Sequence, residues 1–394
     1  MHSKFQNKFL TSAMWIPVGI LFTGMALVPR VTSAASLSEL VAKAKQEGAL
    51  NATATSSMKP TTASKLAAAF KKRFGLDIKV SITPLSDTRN YPKYAAETKA
   101  GVAATYDAVD GSGKNNVQLV ALGGVEKIDG WKALLAEINP LVGSGKVRPL
   151  QISPDPFSGF AFQYLSRLKS IIYNPNLISK KDLPKTHADL VDPKYKGRWT
   201  QPPFAAHWDV GPLVFPDISQ EEWIEIVTKA GKNAGAVQQE SAGIQRVLIG
   251  EFAFAPANSY YFLRIKAKDS QAPIEITYFK DYNPVTGSYY VVRKGAPHPA
   301  AGTLFALWMG TPGAKAVWQP DLFSTQFEWG DGELERKIRQ YLKESDAKTI
   351  SFFDSERGVE FLRWIGTPEG RKYRKAVSKA IRGKKWKRKK KGKR

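Results

Sequence analysis

ALNATATSSMKPTTASKLAAAFKKRFGLDIKVSIT, residues 49 to 83, is the stretch from which the architecture is read. Ala49 to Thr55 has the length and composition of a short strand, and Ser56 to Thr62 is a polar turn closed by Pro60. A helix follows, with Leu66, Phe70 and Phe74 recurring on one face and Gly75 behind it as a stop. Ile78, Val80 and Ile82 then alternate with Lys79 and Ser81, the period of a half-buried strand. Strand, turn, helix and strand make a βαβ unit, which is parallel and right-handed. In open sheets of this kind ligands bind beyond the carboxyl ends of the strands, where loops lead into helix N-termini.

Upstream, Ser36-Leu37-Ser38-Glu39 is a capping box, and Leu37, Leu40, Val41 and Ala44 share a helical face that ends at Gly48. Downstream, a third helix is expected near Pro92 to Ala100 and a strand over Tyr106 to Val109. A loop, Asp110-Gly111-Ser112-Gly113-Lys114-Asn115-Asn116, comes next. It has the same setting as the turn at Ser56 to Thr62, so the two are candidate anion cradles of hydroxyls and free backbone N–H groups. The loop lacks the glycine spacing and the final Ser or Thr of a Walker sequence.

The ends of the chain differ from its body. Lys4 and Lys8, an apolar run from Ala13 to Val28, and the small residues of Val31-Thr32-Ser33-Ala34-Ala35 read as a secretory signal peptide over residues 1–34. The 394 residues carry a net charge of +24. Fifteen of the cations lie between Arg371 and Arg394 without an acid, whereas Ala35 to Gly370 holds 41 basic and 35 acidic side chains. Residues 383–394 have no core-forming pattern and are expected to form a disordered basic tail able to touch an anionic membrane surface. With only Trp386 as a stacking ring, the tail does not suggest specific nucleic-acid recognition. The chain has no cysteine, which excludes disulfides and thiolate metal sites.

Residues 250 to 300 contain the other candidate site. The apolar run Phe252 to Ala255 leads through Ala257-Asn258-Ser259 to the adjacent Tyr260 and Tyr261. A strand ending in a turn with polar tips is a common lining for a ligand cleft. Between the two candidate regions, Ser219-Gln220-Glu221-Glu222 is a second capping box, and Thr-Pro pairs at 311–312 and 367–368 mark two further helix starts.

A series of short segments resembles the periplasmic solute-binding proteins of ABC importers, in particular the family-1 type that includes the ferric-ion-binding proteins. They are Tyr173-Asn174-Pro175, Asp182-Leu183-Pro184-Lys185-Thr186, Asp189-Leu190 and Asp192-Pro193-Lys194-Tyr195-Lys196-Gly197. Gly250-Glu251, Tyr260-Tyr261 and Gly295-Ala296-Pro297-His298-Pro299 follow in the same order as in that family. The resemblance extends over about residues 36 to 320. It implies an α/β, two-lobed periplasmic-binding-protein fold of type II, each lobe a mostly parallel sheet flanked by helices and joined by hinge strands.

The expected division is 35–157 with 274–315 in one lobe and 158–273 with 316–382 in the other. Hinge strands are expected near Phe160 to Asn174 and Ile274 to Phe279. The implied function is solute capture in the interlobe cleft and delivery to a membrane permease and its ATPase from the periplasm. In ferric members the paired tyrosines bind the metal as phenolates, a fit between charged oxygen and a hard cation. Here the first turn, Ser56-Ser57-Met58-Lys59, offers neither His nor acid. The ligand is therefore either Fe(III), with Tyr260 and Tyr261 as its ligands, or a small organic anion. Such an anion would be held by Ser56, Ser57 and Ser112 with Asn258, Tyr260 and Tyr261 opposite. No cofactor other than a transported Fe(III) is expected.

Hydrolytic chemistry has less support. No G-x-S-x-G elbow or H-E-x-x-H spacing is present. His187 and His298 sit at helix starts and read as structural; His207, beside Asp209, is the one histidine of the body in an unassigned loop. A secreted enzyme with a His207/Asp209 site and a polyanion-binding surface protein using the tail are the alternatives.

Overall fold

The computed structural model describes residues 36–384. The expected signal peptide and all of the basic tail beyond Lys384 lie outside the described residues. The βαβ unit forms as read: β1 (Ala49–Thr55), the helix Pro60–Phe74 and β2 (Lys79–Leu85), with β1 and β2 parallel and in register from Ala49↔Lys79 to Thr55↔Leu85. Ser36 accepts from the Glu39 N–H while Glu39 reaches back to the Ser36 N–H. Gly48 and Gly75 close their helices in the left-handed conformation, which costs glycine no Cβ clash. Thr311 and Thr367 cap the helices that begin at Pro312 and Pro368.

The third helix differs from expectation. It starts five residues early, at Asp87, and carries Pro92 inside it. The expected loop from Asp110 is also regular structure. β3 runs Ala108–Ser112, and a helix, Gly113–Ala121, starts directly after it. Gly111 has no Cβ because Asn116 folds back over it: a Cβ there would lie 2.7 Å from Asn116 Oδ1.

Two long strands cross the molecule, β4 (Ala161–Tyr173) and, later, β9 (Asn283–Val292). The short β5 (Thr200–Gln201) and β6 (Ala236–Val237) form a separate parallel pair, while β7 (Phe254–Asn258) and β8 (Glu275–Thr277) both pair antiparallel with the end of β4. β10 (Thr349–Ile350) adds to the start of β9. The main sheet has the order β2-β1-β3-β9-β4-β7, parallel among the first three strands and antiparallel from β3 onward.

The apolar cores follow this order. Leu66, Phe70, Phe305, Trp308 and Trp318 pack with Tyr290 and Val292 at the end of β9. In the other lobe, Ile171 faces Trp199, Trp223 and Tyr373, and its neighbour Ile172 faces Phe262, Ile274 and Ile276. Alternate residues of β4 thus cover both faces of that half of the sheet. Ile274, Ile276, Tyr278 and Val285 share one core, so the return crossing is made by β9 rather than by Ile274 to Phe279. Trp318 and Leu322 pack in the first lobe, beyond the boundary expected at 315.

Candidate solute site between the lobes

The carboxyl ends of β1, β2 and β3 open into a cavity of about 180 Å³. Thr55 and Ser56 line it from β1 and its turn, Ser86 and Asp87 from beyond β2, and Asp110 and Ser112 from β3. Arg167 of β4 and Ser288 of β9 complete the wall. Ser56 and Ser112, far apart in sequence, therefore line the same cavity. Neither serine is spent on capping. Lys59 rather than Ser56 precedes the helix Pro60–Phe74, and Ser112 precedes Gly113–Ala121 without a side-chain cap bond. Ser57 is exposed beside the cavity, its Oγ 3.2 Å from Thr55 Oγ1.

Arg167 is the residue that the sequence reading missed. Its Nη2 donates to Thr55 Oγ1 at 3.1 Å, and its Nε is buried without an acceptor. Nη1 makes no hydrogen bond among the described residues, which leaves part of the guanidinium fork open to a ligand. The guanidinium also lies 5.8 Å from the Tyr260 ring centroid. A signal was present: Arg167 and Lys169 are cations inside AFQYLSRLKSIIY, an otherwise largely apolar strand.

Asp87 and Asp110 were missed too. Asp87 Oδ2 accepts from the Ser112 N–H and from Asn115 Nδ2, both at 2.9 Å. Asp110 is 7% exposed, pairs with no cation, and leaves Oδ1 without a hydrogen-bond partner. Burial, with the nearby negative charge of Asp87, pushes its carboxyl up to about 7, although Arg167 and the Tyr164 hydroxyl act in the opposite direction.

Tyr260 and Tyr261 lie in the first turn of a helix, Ser259–Lys268, that continues directly from β7, where the sequence suggested only a turn. Their rings stack 4.3 Å apart, beside Arg167 and Arg264. Burial raises both phenol pKa values, that of Tyr260 far above its usual range. Asn258 does not face the cavity. Its Nδ2 donates to Glu240 Oε2 at 2.6 Å, which also explains why it does not cap the helix after it.

Glu240 is the centre of a buried network. Lys169 Nζ donates to Oε1 at 2.8 Å, and His207 Nε2 lies 3.1 Å from the same oxygen. Burial opposes the Glu240 charge, but Lys169 and His207 together outweigh it and hold the carboxyl well below its usual range. His207, 2% exposed, is driven the other way by burial and by Lys169, to about 4. It is neutral at pH 7, and its Nε2–H donates to Glu240. Asp209, with no exposed surface, accepts instead from Lys114 and from Arg374 Nε. The His207/Asp209 pairing that an enzyme would need is absent: the two residues belong to separate salt-bridge networks. His187 and His298 are structural, bound to Asp281 and Asp107 respectively.

The His207 environment has a measurable consequence. Its folded pKa lies below the ordinary 6.5, so the unfolded chain takes up the proton first as the pH falls. Stability is then withdrawn between about pH 6.5 and 4, by about 3 kcal/mol for a shift of this size. Asp110 has the opposite slope over about pH 4 to 7, so the native protein alone blurs the two contributions. His207→Gln retains a donor for Glu240 without titrating. Its urea midpoint, relative to wild type, is expected to improve steadily from pH 7 to 4.5; a pH-independent difference would refute the assignment.

A larger groove of about 620 Å³, lined by Lys132, Arg148, Gln163, Glu328 and Asp354 among others, lies elsewhere. It is away from the parallel strand ends, and one of its acids, Glu328, is already bonded to Gln163 at 2.7 Å.

Residues 65–321 match the model of the bacterial extracellular solute-binding protein family. The chain belongs to that family. The Fe(3+)-binding periplasmic protein of Serratia marcescens is 25% identical to this solute-binding protein over 229 residues, 55% of this chain and 67% of the relative. Iron-bound HitA from Pseudomonas aeruginosa superposes with a TM-score of 0.64 at 20% identity, covering 84% of this chain and 99% of HitA. The spermidine/putrescine substrate-binding protein PotD of Streptococcus pneumoniae has a TM-score of 0.60 at 16% identity, covering 85% and 99%. The solute-binding protein thus has the type II periplasmic-binding fold, and its relatives are transport proteins rather than enzymes. No helix among its described residues is long and apolar enough to cross a membrane.

Proposed function

We propose that this solute-binding protein is exported, loses residues 1–34, and captures a small solute by its anionic head group between the lobes. Arg167, Ser56 and Ser112 hold that head group, Tyr260 and Tyr261 flank it from the other lobe, and the loaded protein delivers it to the permease of an ABC importer. One observation carries the reading: a guanidinium with open donors lies in a cavity at the strand ends, beside two serine hydroxyls that cap nothing. A planar fork of N–H donors matches a carboxylate or phosphonate.

The stacked tyrosines support a second reading, Fe(III) as cargo. Among the described residues no group of three His, Asp or Glu converges as a metal cluster, so the ion would rest on two phenolates, with an anion on Arg167. Because burial raises both phenols, loading would have to displace their protons, and acid would release the metal.

Calorimetry of stripped protein separates the readings, using small carboxylates, sulfonates and phosphonates in one series and Fe(III)-citrate in the other. Capture of an anion is expected to give colourless protein, with Tyr260→Phe and Tyr261→Phe each weakening binding by up to about 3 kcal/mol. A tyrosinate-to-iron absorption band that either Phe variant bleaches would establish the ferric reading instead. Unchanged binding in both tyrosine variants would remove them from the site.

A further inference from the structure

We propose that the solute is a zwitterion of amino-acid size, its anionic end on Arg167 and its ammonium end on Asp110. This rests on the anionic-head-group reading above and adds the second half of the ligand.

The cavity that contains Arg167 also contains two carboxylates, Asp87 and Asp110. With both ionised, the three side chains sum to one negative charge, so a plain anion gains from the guanidinium and loses to the acids. A ligand with charges of both signs can satisfy both. The two acids also differ in what they have left to offer. Asp87 Oδ2 is bonded to Ser112 and Asn115, and Oδ1 accepts from the Thr88 hydroxyl at 3.1 Å. Asp110 is buried to 7% exposure, forms no ion pair, and has only the Tyr164 hydroxyl beside its Oδ1.

A buried carboxylate without a cation is costly unless something pairs with it. Burial and Asp87 accordingly push Asp110 up to about 7, and an ammonium group at this position would restore its charge. Arg167 does not perform that role within the protein, because its hydrogen bond goes to Thr55 and it forms no ion pair with Asp110. The two opposite charges thus line one cavity without forming an ion pair, although Arg167 is near enough to favour the Asp110 charge. Its volume of about 180 Å³ is the space of about six water molecules. That suits a solute of a few heavy atoms between two charged ends.

The test uses matched probes on the full mature chain stripped of ligand. Glycine, 3-aminopropanoate and 4-aminobutanoate are titrated by calorimetry beside acetate, propanoate and butanoate, on wild type, Asp110→Asn and Arg167→Gln. At least one amino acid is expected to bind tenfold or more tightly than its matched acid. Asp110→Asn is expected to abolish that preference by weakening the amino acid tenfold or more, and Arg167→Gln to weaken both. Thermal unfolding at pH 7.5 checks that Asp110→Asn is folded; it is expected to melt higher than wild type, since a buried unpaired charge has gone.

If the acids bind as well as the amino acids and Asp110→Asn alters nothing, the zwitterion proposal fails and the anionic head group stands. If none of the six probes binds, the zwitterion proposal also fails, and the anionic head group is then decided by the sulfonate and phosphonate series.

Discussion

Arg167→Gln is expected to weaken solute binding by about 2–4 kcal/mol, about 30- to 1000-fold in Kd, the usual cost of truncating one member of a desolvated charge pair. The size follows from the setting. The guanidinium is partly buried, anchored to Thr55 at 3.1 Å and supported by the Tyr260 ring, so its orientation is set before ligand arrives. Arg167→Lys is expected to recover only part of the loss, because a point charge reproduces neither the fork nor the ring contact. Titration calorimetry of the two variants measures both effects. Equal affinities in wild type and Arg167→Gln would move the anionic head group away from β4.

The second large effect is on stability. Glu240→Gln is expected to destabilise the fold by about 3–5 kcal/mol, because it leaves Lys169, 7% exposed, without a counter-charge. On a chain of this length that is a drop of about 5 °C in melting temperature. The double change Lys169→Met with Glu240→Leu removes both charges and is expected to recover much of the loss. The pH dependence has a definite sign. Lys169 and His207 outweigh burial and hold the folded Glu240 carboxyl below its unfolded value of 4.5. Its contribution is therefore complete above that pH and is lost as the pH falls toward the folded value. Differential scanning calorimetry at pH 7 tests the first statement. A single change no worse than the double would mean that Lys169 reaches solvent when unpaired.

The sequence and the site agree where the signal is local. The βαβ unit, the capping boxes and the Thr-Pro helix starts depend on neighbours within a few residues, and they appear where the spacing placed them. Ser56 and Ser112 lie at a strand end and a helix start, which mark the rim of an α/β sheet. What was not legible depends on residues far apart in the chain. Asp110 looked like loop polarity because its burial is created by β9, about 180 residues later, which pairs Tyr290 with it. Asn258 read as a cleft residue until Glu240 was placed beneath it. The role of Arg167 needs Thr55 opposite, 112 residues away. The crossing strand was misplaced for a related reason: 274 to 279 and 283 to 292 are both apolar and strand-like, and only pairing along β4 separates them.

The helix Glu356–Ile365 connects the two lobes by contact rather than by chain. Leu362 and Ile365 pack with Val117 of the helix after β3, while Phe361 and Trp364 also pack with the core that holds Tyr373. The Lys114–Asp209 ion pair lies in the same seam. A hinged receptor of free lobes loses orientational entropy when it shuts, and that loss is subtracted from its affinity. Here the helix has already restricted the lobes, so less of the ligand's binding energy is consumed in ordering them. The same packing has a mechanical corollary at the membrane. Prying the lobes apart would mean exposing the apolar face of this helix to water, so residues that touch no solute add to the work of opening.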